Sequence, residues 1–271
     1  MKKTRLWMMA FLITILAAVF QRMTGPTYPI RGEVEFAGSL IQYKFLRSHE
    51  TGKNYLLSLT VENPEVKGKL LYKRHPTSDC WSSIPLKRKG ESLTASLPSQ
   101  PPAGKLDYKV ILSRNGKQIT LPPKQPVVIR FKGSVPPFLL IPHIILMFLA
   151  ILFSNRAGLE ALHPQGNPRK LALWTTGFLF IGGFIFGPLV QYFAFGEFWS
   201  GFPLGHDLTD TKTLVALAAW ILALIAGRGG KPARKWVLGA SLILLATYII
   251  PHSLLGSELD YAEVPKKAPF P

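Results

Sequence analysis

The chain has 271 residues, a formal net charge of +17 and a positive mean hydropathy of +0.20. Its apolar residues come in long blocks, whereas those of a soluble globular domain recur with the period of a helix or a strand. This composition excludes a simple soluble globule and predicts a membrane protein.

Five apolar blocks predict a membrane α-helical bundle of about five spans. They cover residues 6–20, 138–153, 171–195, 214–226 and 236–250. A helix needs about 20 residues to cross the hydrocarbon layer, so most blocks need interfacial flanks to span it. The first block follows Lys2, Lys3 and Arg5 like the core of a signal peptide. However, residues 17–21 offer no small-x-small cleavage site, so we expect a retained anchor.

Basic and acidic connections between the blocks alternate. The connections after the second and fourth blocks are basic, and the one after the third is acidic. The charged residues are Arg156, Arg169 and Lys170, then Arg228, Lys231, Arg234 and Lys235, against Glu197, Asp207 and Asp210. Cytoplasmic loops carry an excess of Lys and Arg. We therefore expect a bacterial inner-membrane protein with a cytoplasmic N-terminus and a periplasmic C-terminus.

The segment between the first two blocks alternates apolar and polar residues, which is typical of half-buried strands. About seven short strands in about 100 residues predict an all-β antiparallel sandwich. Asn115-Gly116 suits a two-residue hairpin turn. The expected domains are an anchor and linker at 1–27, an extracytoplasmic β-sandwich at 28–135, a four-span bundle at 136–256 and an extracytoplasmic tail at 257–271.

Two resemblances accompany these patterns. LYKRHPTSDCWSSIPL and SLTASLPSQPPAGKLDYKVIL resemble immunoglobulin-like or fibronectin-III-like extracytoplasmic modules, in which a proline-rich corner precedes a strand with an inward tyrosine, here Tyr108. RMTGPTYP at 22–29 and GxPxGxDLTD at 201–210 resemble a family of uncharacterised bacterial polytopic membrane proteins. The first resemblance implies a binding or spacing module, and the second carries over no activity.

The predicted sandwich is strongly basic, with 18 Lys and Arg against 8 Asp and Glu. Attraction to anionic lipid headgroups is the expected role of this charge, and docking of an acidic partner is the alternative. No nucleic-acid motif accompanies it, so nucleic acid is not an expected partner. The single cysteine, Cys80, cannot form an intrachain disulfide, and packing alone must hold the domain together.

Residues 194–212, AFGEFWSGFPLGHDLTDTK, form an aromatic-rich acidic loop between the third and fourth blocks. With polar groups at the same end of other spans, this loop predicts an outer-face polar site. Its candidate residues are His143, Glu197, His206, Asp207, Asp210 and His252, with Phe198, Trp199 and Phe202 as interface aromatics. In a second interpretation, Asp207 is the N-cap of the fourth span and Asp210 lies in its first turn, where both stabilise the helix.

An ionisable residue inside a span, such as His143, needs a partner or a function. A hydrogen bond across helices is the expected role; ligation of haem b with His252, metal binding and proton handling are alternatives. No cofactor is expected, because the sequence contains neither CxxCH nor HExxH. Gly183 and Gly187 form a small-xxx-small pattern that would let another helix pack closely.

The sequence contains no nucleophile–base pair or paired carboxylates at usable spacing, so an enzyme is not expected. A non-enzymatic subunit or assembly factor of a larger envelope or respiratory membrane complex is the leading hypothesis, with membrane lipid and a protein subunit as partners. The alternatives are a haem- or metal-binding redox protein and a small-solute or ion transporter.

Overall fold

The structure is a computed structural model that describes residues 3–230, 233–251, 259 and 261. Two compact units divide the chain. One contains Met1–Pro26 and Val135–Ser257, and the other contains Thr27–Ser134 and Glu258–Pro271. The first unit is a bundle of helices, and the second is a β domain.

Six α-helices form the described part of the bundle. They are α1 (Lys3–Thr24), α2 (Pro137–Ala161), α3 (Arg169–Phe180), α4 (Gly187–Phe195), α5 (Leu208–Ala226) and α6 (Arg234–Ile249). A π-helical segment, Ile181–Phe186, joins α3 to α4, so these three elements form one continuous helical stretch.

Four helical stretches in the described residues are long and apolar enough to cross a membrane: Lys3–Thr24, Pro137–Ala161, Arg169–Phe195 and Leu208–Ala226. The prediction of about five spans is therefore wrong. The fifth block forms α6, which has only 16 residues and reaches about 24 Å, short of a hydrocarbon layer of about 30 Å. It stops there because Ile250 precedes Pro251 and adopts an extended conformation, which the proline ring favours.

Small side chains and hydroxyl groups hold the helices of the bundle together. Asn155 of α2 donates a 3.0 Å hydrogen bond to the Thr14 hydroxyl of α1. The Ser241 hydroxyl of α6 donates to the carbonyl of Ser154 in α2 over 2.9 Å. A Cβ at Gly158 would lie 2.5 Å from that hydroxyl oxygen, so only glycine leaves space for the contact. Such polar bridges between closely approaching helices are typical of membrane bundles.

Arg156 does not lie in the basic connection in which it was predicted. It lies inside α2 with 4% of its surface exposed. Its Nη1 forms a 2.7 Å ion pair with Glu160, one turn further along the helix, and its guanidinium lies 5.6 Å from the centre of the Trp7 ring. Arg156 is therefore a buried, paired cation and does not add to the exposed positive charge at that end of the bundle.

The β domain contains eleven described strands. They are β1 (Ile30–Phe36), β2 (Ser39–Phe45), β3 (Ser48–Glu50), β4 (Tyr55–Thr60), β5 (Lys67–Arg74), β6 (Ser82–Pro85), β7 (Lys87–Lys89), β8 (Ser92–Leu97), β9 (Lys105–Arg114), β10 (Lys117–Leu121) and β11 (Val127–Lys132). They form a β1–β2 hairpin, a sheet in the order β3-β11-β9-β5-β6 with β10 also on β9, and a sheet in the order β4-β8-β7.

This topology also contradicts the predicted all-antiparallel sandwich. The strands form three sheets, and β11 pairs with β3 in parallel, with Arg130 opposite Ser48. The strand β3 has only three residues, too few to show an alternating pattern in the sequence. A parallel partner so short can be recognised only once the two ends of the domain have been brought together.

The core of the β domain follows the predicted alternation. In β9, every second residue from Leu106 to Leu112 is buried, and β4 shows the same period. Tyr108 points inward as predicted, and its hydroxyl donates a 2.8 Å hydrogen bond to the carbonyl of Leu46. Burial raises the pKa of this phenol above its ordinary value, so it stays neutral.

The turn between β9 and β10 confirms the hairpin predicted at Asn115-Gly116. Arg114 pairs with Lys117, which leaves two residues in the turn. Both have positive φ, 49° for Asn115 and 77° for Gly116. Asn and Gly tolerate this left-handed conformation best, and it matches the twist of the paired strands.

Arg88 on β7 stabilises the irregular loop between β4 and β5. Its guanidinium donates 2.9 Å hydrogen bonds to the carbonyls of Val61, Asn63 and Val66, which surround the turn between β4 and β5. The three acceptors lie in fixed directions that a planar, branched cation can reach together and a lysine ammonium cannot.

We expect Arg88→Lys to lower the free energy of unfolding of the β domain by about 2 kcal/mol, because at least one carbonyl loses its donor. Urea titration of the full chain in detergent micelles, followed by pulse proteolysis, measures this change. Arg31→Lys is the matched control, since Arg31 is exposed on β1 and should change stability by less than about 0.5 kcal/mol. Equal midpoints for the two variants would contradict the role of Arg88.

Candidate functional site

The loop between α4 and α5 is organised by the carboxylate of Asp210. Its Oδ2 accepts hydrogen bonds from the backbone N–H groups of Ser200 (2.8 Å) and Gly201 (3.1 Å) and from the side-chain amide of Gln191 (3.0 Å). Asp210 is buried, with 7% of its surface exposed. Three donors from α4 and the loop therefore converge on one oxygen of α5.

Asp207 caps the same helix. Its Oδ1 accepts a 2.6 Å hydrogen bond from the N–H of Thr209, and its own N–H donates to the carbonyl of Ser200 over 2.8 Å. The N-cap role confirms the second interpretation of this residue. Asp210 occupies the third position of the helix, as that interpretation expects, but its carboxylate binds the loop and Gln191.

At two positions of this loop, close contacts leave room only for glycine. A Cβ at Gly201 would lie 2.4 Å from the Cβ of Asp210 and 2.8 Å from the backbone nitrogen of Thr211. One at Gly205 would lie 2.3 Å from the carbonyl oxygen of Ser200. The loop therefore packs its backbone directly against the first turn of α5.

The three predicted interface aromatics have different environments. Trp199 donates from Nε1 to the carbonyl of Gly201 over 3.1 Å, and its ring lies 5.5 Å from that of Phe184 in the π-helical segment. Phe198 stacks on Tyr192 at 4.4 Å. Phe202 is 62% exposed. Trp199 thus belongs to the packing of the bundle, and Phe202 is the aromatic most available to lipid or to a partner.

Lys212 is a buried cation that the sequence did not single out. It lies one turn into α5 with 6% of its surface exposed. Its ammonium donates a 2.5 Å hydrogen bond to the carbonyl of Ile250, at the end of α6, and is attracted by the carboxylate of Asp207. The last carbonyls of a helix have no intrahelical donor and carry partial negative charge. Lys212 therefore ties the start of α5 to the end of α6.

Glu197, His206 and His143, the other described members of the predicted polar site, do not join this network. Glu197 and His206 are exposed. The imidazole of His143 lies 2.9 Å from the carbonyl oxygen of Gly182; because a carbonyl only accepts, Nδ1 must carry the proton. His252 lies outside the described residues. Within residues 3–230 and 233–251, no group of three or more His, Cys, Asp or Glu is placed to hold a metal ion.

The glycines of the third helical stretch contact two neighbouring helices. A Cβ at Gly183 would lie 2.8 Å from Cγ2 of Thr213 in α5, and one at Gly182 would lie 2.9 Å from the Cβ of Leu146 in α2. Gly187 has looser surroundings, with the His143 ring 3.9 Å away. The closest approach therefore involves Gly182 and Gly183, within the π-helical segment.

A separate candidate site lies on the β domain, in a cavity of about 440 Å³. Its floor is a row of residues on neighbouring strands, with Lys73 of β5 opposite Asp107 of β9, which is opposite Val128 of β11. These residues alternate with core residues such as Tyr108 and therefore lie on the opposite face of the sheet. The cavity is thus formed by strand register, on the side away from the core.

Trp81 forms an aromatic wall of this cavity, with 37% of its surface exposed. The ammonium nitrogen of Lys109 lies 4.7 Å from the centre of its ring, and that of Lys73 lies 5.6 Å away. Cations over a tryptophan face are attracted by its π electrons. The two lysines are therefore held beside the opening although neither forms an ion pair within the described chain.

Arg47 and His75 complete the polar lining. His75 Nδ1 lies 3.0 Å from Oδ1 of Asp107, so the carboxylate in the cavity already has a partner. The Nε of Arg47 is buried and makes no hydrogen bond within the described residues. Burial lowers the pKa of this guanidinium below its ordinary value, but arginine remains charged at neutral pH. The cavity lining therefore contains two cations, Arg47 and Lys73, and one engaged carboxylate, with the ammonium of Lys109 over the ring of Trp81.

This pocket, which we call the Trp81 pocket, was missed in the sequence because its residues come from five separate stretches. The available signals were the strong excess of Lys and Arg and the polar positions of the alternating strands. Neither identifies which cations meet. Chemically, the arrangement can bind an anion beside an aromatic surface. Compared with known protein families and with curated proteins, the sequence matches none of them.

We expect Gly201→Ala to open the α4–α5 loop, because the added methyl group would displace the two backbone N–H groups that Asp210 binds. The expected loss is about 2 kcal/mol of stability, with faster chymotrypsin cleavage beside Phe198. Thermal unfolding in micelles and mass spectrometry of the digests measure both effects.

Gly177→Ala is the matched control for this change. A Cβ at Gly177 would meet nothing within 4 Å, and alanine favours the helix interior by up to about 1 kcal/mol. If Gly201→Ala and Gly177→Ala have the same cleavage rate and the same melting temperature, the loop does not depend on the contact between Gly201 and Asp210.

Proposed function

We propose that the protein is a non-enzymatic subunit or assembly factor of a larger membrane complex, and that its β domain binds an acidic segment of a protein partner. The observation that carries this proposal is the Trp81 pocket. Its cations Arg47 and Lys73, and Lys109 over the Trp81 ring, have no acidic partner among the described residues. The four candidate spans would anchor this binding domain to the membrane.

Charge is the first argument for an acidic ligand. Asp107 is the carboxylate of the pocket and is engaged by His75 at 3.0 Å. Arg47 has already lost part of its hydration through burial, without a hydrogen bond from Nε in return. A carboxylate in the pocket that Arg47 lines would pair with its charge, and charge-assisted pairs with arginine are among the strongest in proteins.

A neighbouring strand favours a polypeptide over a glycan or a lipid. The strand β6 begins directly after Trp81 and is the last strand of its sheet, so one side of its backbone has no strand partner in the described chain. An extended peptide can add to such an edge through backbone hydrogen bonds while its side chains enter adjacent pockets. Glutamate or aspartate side chains would then reach the Trp81 pocket.

The proposed location is the inner membrane of a bacterium, with the N-terminus in the cytoplasm and the β domain in the periplasm. The support is the distribution of charge in the connections. Arg169, Lys170 and Arg234 lie at helix ends beside the α2–α3 and α5–α6 connections. Glu197 and Asp207 lie in the α4–α5 connection, with Asp210 in the first turn of α5. Excess positive charge marks the cytoplasmic side.

Cys80 provides a direct test of this orientation, since it is the chain's one cysteine and is exposed on the β domain. In cells with a permeabilised outer membrane, an impermeant maleimide should label Cys80 without lysis. In the double variant Cys80→Ser, Gln165→Cys, the cysteine lies in the connection between α2 and α3 and should be labelled only after lysis. The reverse pattern would exclude the proposed orientation.

Peptide binding tests the function itself. The probe is a fluorescent ten-residue peptide of alternating Glu and Val, measured by anisotropy with the full chain in uncharged detergent. We expect binding that weakens with salt, and about tenfold weaker binding for Lys73→Glu or Lys109→Glu, equivalent to about 1.4 kcal/mol. The reason is that each change places a like charge beside the bound carboxylates.

Lys117→Glu is the control, because it makes the same charge change at an exposed site on β10. It should leave the affinity within about twofold. Equal losses for Lys117→Glu and Lys73→Glu would reduce the effect to net charge. Tighter binding of an acidic glycan than of the peptide would overturn the proposal of a protein partner.

A further inference from the structure

A second cavity, of about 280 Å³, lies at one end of the helical bundle. Its walls come from the start of α3, the end of α5 and the start of α6. Water needs only about 10–15 Å³ of such space, whereas ligand pockets begin at about 300 Å³. The volume therefore suits a small polar group larger than a few waters.

Two arginines give this cavity its charge. The guanidinium of Arg169 forms no hydrogen bond or ion pair with the described residues. Arg234 donates from Nη1 to the carbonyls of His163 (3.0 Å) and Pro164, which fixes the α2–α3 connection as a wall and leaves its other N–H groups free of described partners. The described lining contains no acidic residue. The lining thus carries two positive charges and no negative charge.

The other walls divide the cavity into a polar and an apolar part. Asn167 lies on the polar side, and Ala172, Leu224 and Val237 form the apolar side. The helices α3 and α6 both begin here. The N–H of Arg169 at the start of α3 donates to Oδ1 of Asn167 over 3.2 Å, and the N-terminal ends of both helices add positive potential. A ligand with an anionic head and an apolar body matches these two surfaces.

The position of the cavity indicates the source of such a ligand. It lies where the candidate span Arg169–Phe195 begins and the candidate span Leu208–Ala226 ends. The ends of spans lie at the level of the lipid phosphates, and basic pockets between transmembrane helices bind anionic headgroups. We propose that this cavity is a phosphate-binding site whose ligand is the headgroup phosphate of an anionic phospholipid, held by Arg169 and Arg234.

Arg169→Gln tests the site, because it removes the charge of an exposed side chain that makes no described contact. The full chain in uncharged detergent is titrated with phosphatidylglycerol or with phosphatidylcholine of the same acyl chains and analysed by native mass spectrometry. We expect preferential retention of phosphatidylglycerol and about fivefold less of it in Arg169→Gln, as one basic residue near an anionic headgroup predicts.

Lys170→Gln is the matched control, since it removes the same charge from the neighbouring exposed residue, which does not line the cavity. Lys170→Gln should retain as much phosphatidylglycerol as the unsubstituted chain. Equal retention of the two lipids, or equal losses in Arg169→Gln and Lys170→Gln, would overturn the proposal. Both results are independent of peptide binding at the Trp81 pocket.

A titration with inorganic phosphate distinguishes the two sources of a bound phosphate group, a lipid headgroup and free phosphate. If a lipid is the ligand, millimolar phosphate should neither raise the melting temperature of the delipidated chain nor displace phosphatidylglycerol. If phosphate does both, and Arg169→Gln abolishes the stabilisation, the phosphate site stands and the lipid assignment is overturned.

Discussion

The hydrogen bonds to Asp210 determine the path of the connection between α4 and α5. A buried carboxylate must be fully satisfied, because an unpaired charge away from water is far more costly than an unpaired amide. Its oxygen binds Ser200 and Gly201 from the loop and Gln191 from α4. Since α5 holds Asp210 rigidly, the loop backbone must approach it closely, and glycine at 201 follows from that approach.

The same requirement accounts for two residues of the predicted outer-face site, Asp207 and His143, and for the neighbouring Lys212. Asp207 caps α5, His143 donates to the π-helical segment, and Lys212 binds the last turn of α6. In an apolar environment each of these groups needs an internal partner, and each has one. The stability of the bundle therefore accounts for their presence in or beside apolar segments.

Features set by neighbouring residues could be predicted from the sequence. The cap at Asp207, the turn at Asn115-Gly116 and the alternation in β9 each depend on residues a few positions apart. The parallel pairing of β3 with β11 and the Trp81 pocket depend on residues far apart in the chain. Lys73 and Asp107 meet only through strand register, which neither segment encodes alone. These local features were therefore predictable, whereas the number of spans, the arrangement of the sheets and the candidate site were not.

The arginines show why the net charge of +17 does not by itself identify a binding surface. Arg88 donates hydrogen bonds to three carbonyls, and Arg114 forms a 2.7 Å ion pair with Glu65, so both arginines stabilise the β domain. A paired cation adds little to the binding of a ligand, because its charge is already compensated. Arg47 and Arg169 differ, since each lines a concave surface without an acidic partner in the described chain. These two cavities are therefore where the proposed anionic ligands would meet cations without an acidic partner in the described chain.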